Sequence, residues 1–193
     1  MVLRYVEMPG ARLMRSLGFS PNLVSLMGLA ISMGAASLVG AGFLLGGGVV
    51  FLVGSLFDLL DGALARLQGK ATRFGALLDS TLDRLGEGVL FLGLGVYGVR
   101  ADYTQSGLLL FMVALIVALV ASQTVTYLRA RGEALGIDTR GGLLTRPERV
   151  VILSLGLILG RGWLEGALIV VAALSIVTLL YRLFHIQRNL RGG

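Results

Sequence analysis

Six mainly apolar stretches are the feature of this sequence that most restricts its fold. They lie at residues 22–43, 47–67, 74–98, 107–128, 148–161 and 163–183. A helix that crosses the hydrocarbon core of a bilayer needs about 20 such residues. Only 15% of the residues are charged and the mean hydropathy is +0.85, which excludes an ordinary soluble domain. The sequence therefore predicts an all-α integral membrane protein with six transmembrane helices.

The segment before the first stretch is too charged to cross a bilayer. Arg4, Arg12 and Arg15 alternate there with apolar side chains, which is typical of an amphipathic helix lying in the membrane interface. We expect a break near Pro9 and Gly10, and a soluble tail is the alternative interpretation. The predicted organisation is one membrane domain over residues 1–193, with an interfacial segment at 1–19 and a six-helix bundle at 20–193.

The distribution of basic residues predicts the orientation of the helices. Short loops rich in Lys and Arg stay on the cytoplasmic side of a membrane. Basic residues precede the first stretch and follow the second, fourth and sixth, whereas the opposite loops carry only Arg100 and Arg161. Both termini are therefore expected in the cytoplasm of a multi-pass protein. The net charge of +6 indicates that the basic residues bind anionic lipids or phosphorylated substrates at that face rather than nucleic acid.

Four aspartates interrupt the second and third stretches. Asp58 and Asp61 are three residues apart, and Asp79 and Asp83 are four apart, so each pair lies on one face of its helix. A single ionisable side chain at the centre of a membrane helix costs about 2.5–3.5 kcal/mol. The connection between the two stretches is short, which would bring both pairs to a similar depth. One or two hard divalent cations, Mg²⁺ or Mn²⁺, are the expected counter-charge.

Two alternatives to a catalytic metal site follow from the same residues. The aspartates could have a structural role, as buried ion pairs with Arg66, Arg73 and Arg84 or as helix caps, or they could line the path of a membrane cation transporter. The chain has no Cys and one His, which excludes a thiolate nucleophile and a metal site built from histidines.

Residues 58–83 follow the pattern D-x2-D-G-x2-A-R-x8-G-x3-D-x3-D. This pattern resembles the signature of the CDP-alcohol phosphatidyltransferase family, and all of its fixed positions are present. The family's layout, with an interfacial N-terminal helix, six spans and cytoplasmic termini, also matches the predictions above. The resemblance implies an enzyme that transfers a phosphatidyl group from CDP-diacylglycerol, or from a CDP-linked ether lipid, to an alcohol and releases CMP. It also implies a homodimer.

The resemblance further implies roles for individual residues. Two divalent ions would be held by Asp58, Asp61, Asp79 and Asp83. Asp83 would also act as the base that deprotonates the acceptor hydroxyl. The CDP-lipid would be bound by residues before the first stretch and within the signature, namely Pro21, Asn22, Leu23, Val24, Asp58, Gly62, Ala65, Arg66, Thr72 and Gly75.

Arginines at three helix ends bear on the choice of acceptor. Arg129, Arg146, Arg149 and Arg182 could converge on one cytoplasmic cavity, although contact with lipid headgroups is the alternative for each. Guanidinium groups offer forked donors to phosphate oxygens, so such a cluster favours an acceptor that carries phosphate.

The stretches Y-x2-A-R-x-E and R-P-E-R resemble the branch of the family that uses inositol 1-phosphate and makes phosphatidylinositol phosphate. In that branch the residues corresponding to Thr126, Arg129, Arg146, Arg149 and Arg182 line the acceptor pocket. Glycerol 3-phosphate also carries a phosphate, so a phosphatidylglycerophosphate synthase is the alternative activity.

Overall fold

The computed structural model describes residues 2–69, 72–139 and 141–191, without the side chains of residues 2–7, 59 and 61. Over these ranges the chain forms α-helices and no strands, which confirms the all-α prediction. The helices are α1 (Val2–Ser16), α2 (Pro21–Gly40), α3 (Leu44–Gln68), α4 (Arg73–Arg100), α5 (Gln105–Ala134), α6 (Arg146–Leu159) and α7 (Arg161–Arg191).

Four of these helices are long and apolar enough to cross a membrane, namely α2, α3, α5 and α7. They correspond to the first, second, fourth and sixth predicted spans. The helix α4 has 28 residues but carries acidic residues in its first half, and α6 has only 14 residues. The composition and length of the four helices support a membrane protein, whereas the count of six spans stays a prediction.

The N-terminal helix α1 continues through Pro9, so the expected break near Pro9 and Gly10 is wrong. Packing against α3 explains why the helix tolerates the proline. A Cβ on Gly10 would come within 2.6 Å of Leu60 Cδ2, and Ala11 is completely buried beside Ala63. The apolar area buried by this packing offsets part of the cost of the hydrogen bond that proline removes. The interfacial role of α1 stays a prediction.

The chain divides into two compact units, Met1–Gly93 and Leu94–Gly193. In the first unit, glycines allow α2 and α3 to approach closely. A Cβ on Gly54 would lie 3.0 Å from Ile31 Cγ2, and one on Gly47 would lie 3.1 Å from the Ala35 carbonyl oxygen. Small residues at such positions are typical of packed membrane helices. The assignment of residues 1–193 to a single domain stays a prediction.

In the second unit, α7 packs against both α5 and α6. The buried hydroxyls of Ser122 and Ser175 lie 3.4 Å apart between α5 and α7. The start of α6 is fixed by a capping box, in which the Thr145 N–H donates to Glu148 Oε2 at 2.8 Å. This cap places Arg146 and Arg149 in the first turn of α6, beside the segment that leads into it.

Candidate active site

A cavity of about 280 Å³ lies in the first unit, between the start of α2, the end of α3 and the start of α4. Seven of the ten residues predicted to bind the CDP-lipid line this cavity, together with one predicted metal ligand. The lining residues are Pro21, Asn22, Ser25, Gly62, Ala65, Arg66, Thr72, Gly75, Ala76 and Asp79. The structure therefore brings the signature and the start of α2 together around one space.

One side of this cavity is formed by the helix cap at the start of α4. The Thr72 hydroxyl accepts a hydrogen bond from the Gly75 N–H at 3.0 Å and thereby begins α4. A Cβ on Gly75 would lie 3.0 Å from Thr72 Oγ1 and 3.6 Å from Asn22 Oδ1. Glycine at position 75 thus leaves room for a ligand between two polar side chains.

Three of the predicted CDP-lipid residues, Leu23, Val24 and Asp58, do not line the cavity. Val24 is completely buried in a core cluster with Ala63 and Leu64, and Leu23 is 42% exposed; neither lines the cavity. Successive residues of a helix point in directions about 100° apart, so four consecutive residues cannot all face one ligand.

Ser25 and Ala76 line the cavity but were not predicted from the sequence. The available signal for Ser25 was its spacing, because it lies one helical turn after Pro21 and therefore on the same face of α2. Its hydroxyl donates to the Pro21 carbonyl oxygen at 3.2 Å.

The predicted metal ligands lie on α3 and α4. Asp58 is half-buried, and a Cβ on Gly28 of α2 would collide with its Oδ1. Asp79 lines the cavity, and Asp83 lies one turn further along α4, where it is also half-buried. The side chain of Asp61 lies outside the described residues. Among the described side chains no group of three acidic or histidine residues is placed to hold an ion, so the set of four aspartates stays a prediction.

The predicted acceptor residues lie in the second unit, where three of the four arginines are neighbours. Arg149 and Arg182 are each only 2% exposed. The positive charges of Arg129 and Arg149 both act on the guanidinium of Arg182. Arg129 is also paired with Glu133, with 3.0 Å between Nε and Oε1. This unit therefore concentrates positive charge beside α7.

Main-chain carbonyl groups hold Arg182 in place. Its Nε donates to the Gly141 carbonyl oxygen at 3.0 Å, and its Nη1 donates to the Val125 carbonyl oxygen at 2.8 Å. Of the remaining predicted acceptor residues, Arg146 is half-buried in the first turn of α6. The Thr126 hydroxyl donates to the Ser122 carbonyl oxygen of its own helix at 3.0 Å.

Comparison with known proteins identifies the family. The family model described as CDP-alcohol phosphatidyltransferase matches residues 19–180. A phosphatidylinositol phosphate synthase of Mycolicibacterium smegmatis is 40% identical over 197 residues, covering 96% of this chain and 86% of the relative. The enzyme of the same name from Mycobacteroides abscessus is 38% identical over 178 residues, covering 89% of this chain and 79% of the relative.

Solved structures give the same result. The fold resembles the phosphatidylinositol phosphate synthase of Mycobacterium tuberculosis in complex with manganese and citrate, with a TM-score of 0.84 and 34% identity over 94% of this chain and 88% of that one. A structure of that enzyme with CDP-DAG bound gives a TM-score of 0.82 and 34% identity over 93% of this chain and 92% of that one. This chain therefore belongs to the CDP-alcohol phosphatidyltransferase family.

Proposed function

We propose that this protein transfers the phosphatidyl group of CDP-diacylglycerol to inositol 1-phosphate, giving phosphatidylinositol phosphate and CMP. The observation that carries the proposal is the cavity of the first unit, because seven of the ten residues expected to bind the CDP-lipid line it, together with the predicted metal ligand Asp79. The relatives named phosphatidylinositol phosphate synthase support the choice of acceptor.

The cavity suits the phosphates and the nucleotide of the donor. Gly62 and Gly75 expose the helix backbone to it, and Arg66 brings a guanidinium whose paired N–H groups match phosphate oxygens. In the proposed complex, Thr72 and Asn22 contact the donor from the side where α2 and α4 begin.

The carboxylates near this cavity suit a divalent cation, since hard cations take oxygen ligands. Asp79 faces the cavity, and Asp58 occupies space that the absence of a side chain at Gly28 leaves open. In the proposal Asp58, Asp61, Asp79 and Asp83 hold two ions of Mg²⁺ or Mn²⁺. Bound divalent ions would neutralise the pyrophosphate and stabilise the negative charge that develops on the departing CMP.

Asp83 is the proposed base. It accepts the proton of the acceptor hydroxyl while that oxygen forms a bond to the β-phosphorus of the donor. The bond between the β-phosphorus and the bridging oxygen breaks, and its electron pair leaves with CMP. A single displacement is proposed because the sequence has no Cys and only one His to provide a covalent intermediate.

The arginines of the second unit are proposed to bind the phosphate of the acceptor. Arg182 is held by two carbonyl oxygens, so little side-chain entropy is lost when it binds a ligand. Arg129, Arg146, Arg149 and Thr126 complete the proposed acceptor site. These residues would also suit glycerol 3-phosphate, which remains the alternative acceptor.

The proposal places the enzyme in the cell membrane as a multi-pass homodimer, with both termini and the active site on the cytoplasmic side. The distribution of basic residues supports the orientation. The dimer rests on the family resemblance.

The test is CMP release by the purified protein in detergent with CDP-diacylglycerol and Mg²⁺. Parallel reactions contain inositol 1-phosphate, glycerol 3-phosphate, free inositol or serine, and a chelator control removes the metal. Release with inositol 1-phosphate alone is the expected result. Release with glycerol 3-phosphate would replace the acceptor and keep the reaction type. No CMP release together with metal flux in proteoliposomes would contradict the proposal and favour a cation transporter.

A further inference from the structure

The segment Gly141–Thr145 leads into α6, which begins with two of the predicted acceptor arginines, and a buried threonine of α7 holds it. Thr178 is completely buried. Its hydroxyl accepts a hydrogen bond from the Leu144 N–H at 3.1 Å and donates one to the Leu174 carbonyl oxygen at 2.8 Å. Both functions of the hydroxyl are therefore used, and one of them fixes the main chain just before α6.

The same segment passes closely over the surface of α7. Gly142 has a φ of 142°, a conformation that favours glycine, and a Cβ there would come within 2.6 Å of Thr178 Cγ2. That Cβ would also lie 3.6 Å from Arg182 Nε. The preceding carbonyl group, of Gly141, accepts the hydrogen bond of Arg182 Nε. Thr178 and Arg182, one helical turn apart, thus bind two main-chain groups of the same segment, the Leu144 N–H and the Gly141 carbonyl oxygen.

The Leu144 N–H needs its partner because the residue lies in the protein interior. Leu144 is 1% exposed, so no solvent can replace the threonine hydroxyl. A buried donor without an acceptor is unfavourable, and the segment would shift to satisfy it. Such a shift would move the Gly141 carbonyl away from Arg182 and redirect the first turn of α6, which carries Arg146 and Arg149.

A second buried threonine makes a similar connection to α5. Thr139 is 1% exposed, and its hydroxyl donates to the Arg129 carbonyl oxygen at 3.1 Å. A Cβ on Gly132 would collide with the Thr139 methyl group, so α5 and the segment that follows it are in close contact there. The main chain on both sides of this connection is therefore fixed beside a predicted acceptor arginine.

We propose that Thr178 is a positioning residue for binding of the acceptor phosphate, with Thr139 acting in the same way beside Arg129. Thr178 does not contact the ligand; it holds the Gly141–Thr145 segment so that Arg182 and the arginines of α6 keep their relative positions. This inference rests on the proposed function, because it assumes that these arginines bind a phosphate group.

The test compares Thr178→Val, which removes the hydroxyl and keeps the shape, with Thr178→Ser, which keeps the hydroxyl. Ser175→Ala is the matched control, since Ser175 is completely buried in the same helix and its hydroxyl faces Ser122 of α5 instead. The KM values for the acceptor and for CDP-diacylglycerol are measured for each variant. Thr178→Val is expected to raise the acceptor KM about fivefold, the effect of one lost hydrogen bond, and to leave the KM for CDP-diacylglycerol unchanged. Thr178→Ser and Ser175→Ala are expected to keep both values.

A second measurement does not depend on turnover or on the identity of the acceptor alcohol. Inorganic phosphate is titrated into each detergent-solubilised variant, and the half-saturating concentration is taken from the rise in unfolding temperature. Thr178→Val is expected to need about fivefold more phosphate than the unsubstituted protein. If Thr178→Val does not fold, Thr139→Val is expected to show the same shift.

Distinct outcomes separate this inference from the proposed function. Turnover with glycerol 3-phosphate instead of inositol 1-phosphate, with the same change in acceptor KM, would replace the acceptor and support the positioning role. An equal rise of both KM values in Thr178→Val, or a rise of the acceptor KM in Ser175→Ala as large as in Thr178→Val, would show a general structural role and overturn the inference. An unchanged phosphate titration in Thr178→Val, or no effect of phosphate on the unsubstituted protein, would also overturn it.

Discussion

Substituting Gly28 by Ala tests whether Asp58 binds the metal without changing the carboxylate itself. Gly28 is a buried residue of α2, and the Cβ of an alanine there would collide with Asp58 Oδ1. The aspartate on α3 would have to turn away from α2. Metal sites tolerate changes in ligand distance of only about 0.2 Å, so even a small rotation should weaken binding.

Two opposing effects determine how much Gly28→Ala changes the free energy of unfolding. Replacing a glycine inside a helix by alanine stabilises by about 0.5–1 kcal/mol. Overpacking a tight contact destabilises by about 1–3 kcal/mol. We therefore expect Gly28→Ala to be neutral or to lose up to about 2.5 kcal/mol of unfolding free energy. Changes that misplace a ligand typically weaken metal affinity about 10–100-fold, so the half-saturating Mg²⁺ concentration should rise at least about tenfold.

Gly34→Ala is the matched control on the same helix. Gly34 is exposed, and a Cβ there would meet no atom within 4 Å. Gly34→Ala should raise the free energy of unfolding, because alanine favours the helix more than glycine, and it should leave metal binding unchanged. The measurements are Mn²⁺ binding by electron paramagnetic resonance, CMP release as a function of Mg²⁺, and thermal unfolding. If Gly28→Ala and Gly34→Ala both bind metal as tightly as the unsubstituted protein, the assignment of Asp58 as a ligand is refuted.

Three further substitutions test the base, the acceptor site and a helix cap. Asp83→Asn should reduce CMP release by at least about 10²–10⁴-fold while CDP-diacylglycerol still binds, because the amide cannot accept a proton and is a weaker metal ligand than the carboxylate; near-normal turnover would contradict this role. Arg182→Ala should raise the KM of the acceptor far more than that of CDP-diacylglycerol, and equal increases would contradict the acceptor assignment. Thr104→Ala removes the acceptor of the Gly107 N–H, 3.2 Å away, and should lower the unfolding free energy by about 1 kcal/mol with CMP release unchanged. An unaltered unfolding transition would show that this cap contributes nothing.

Hydropathy predicted where the helices lie more accurately than where they end. The first span was predicted at 22–43 and the helix is Pro21–Gly40, whereas the fourth was predicted at 107–128 and the helix is Gln105–Ala134. The last turns of α5 are polar, with Arg129 paired to Glu133. The length of an apolar stretch matches the thickness of the hydrocarbon core. The helix itself can be longer, because its polar turns can continue into water when their side chains pair with each other.

The cavity of the first unit could be predicted because its residues recur at helical spacing within a known signature. Gly28 was missed because its contribution depends on how closely α2 approaches α3, which no pattern within α2 reports. The partners of Arg182 were missed for a different reason. They are the carbonyl groups of Val125 and Gly141, and every residue has a carbonyl group, so the residue types carry no signal.

The two units accommodate charged side chains in different ways, an acidic one in the first unit and basic ones in the second. In the first unit the absence of a side chain at Gly28 gives an acidic side chain room between helices. In the second unit the positive charges of Arg129 and Arg149 and the negative charge of Glu133 act on the buried guanidinium of Arg182, which donates to two main-chain carbonyl groups. In the proposed complex, the acceptor phosphate would bring negative charge to this cluster and offset the repulsion among its guanidinium groups. For this reason, the cluster should favour dianionic phosphorylated acceptors over neutral alcohols of the same shape.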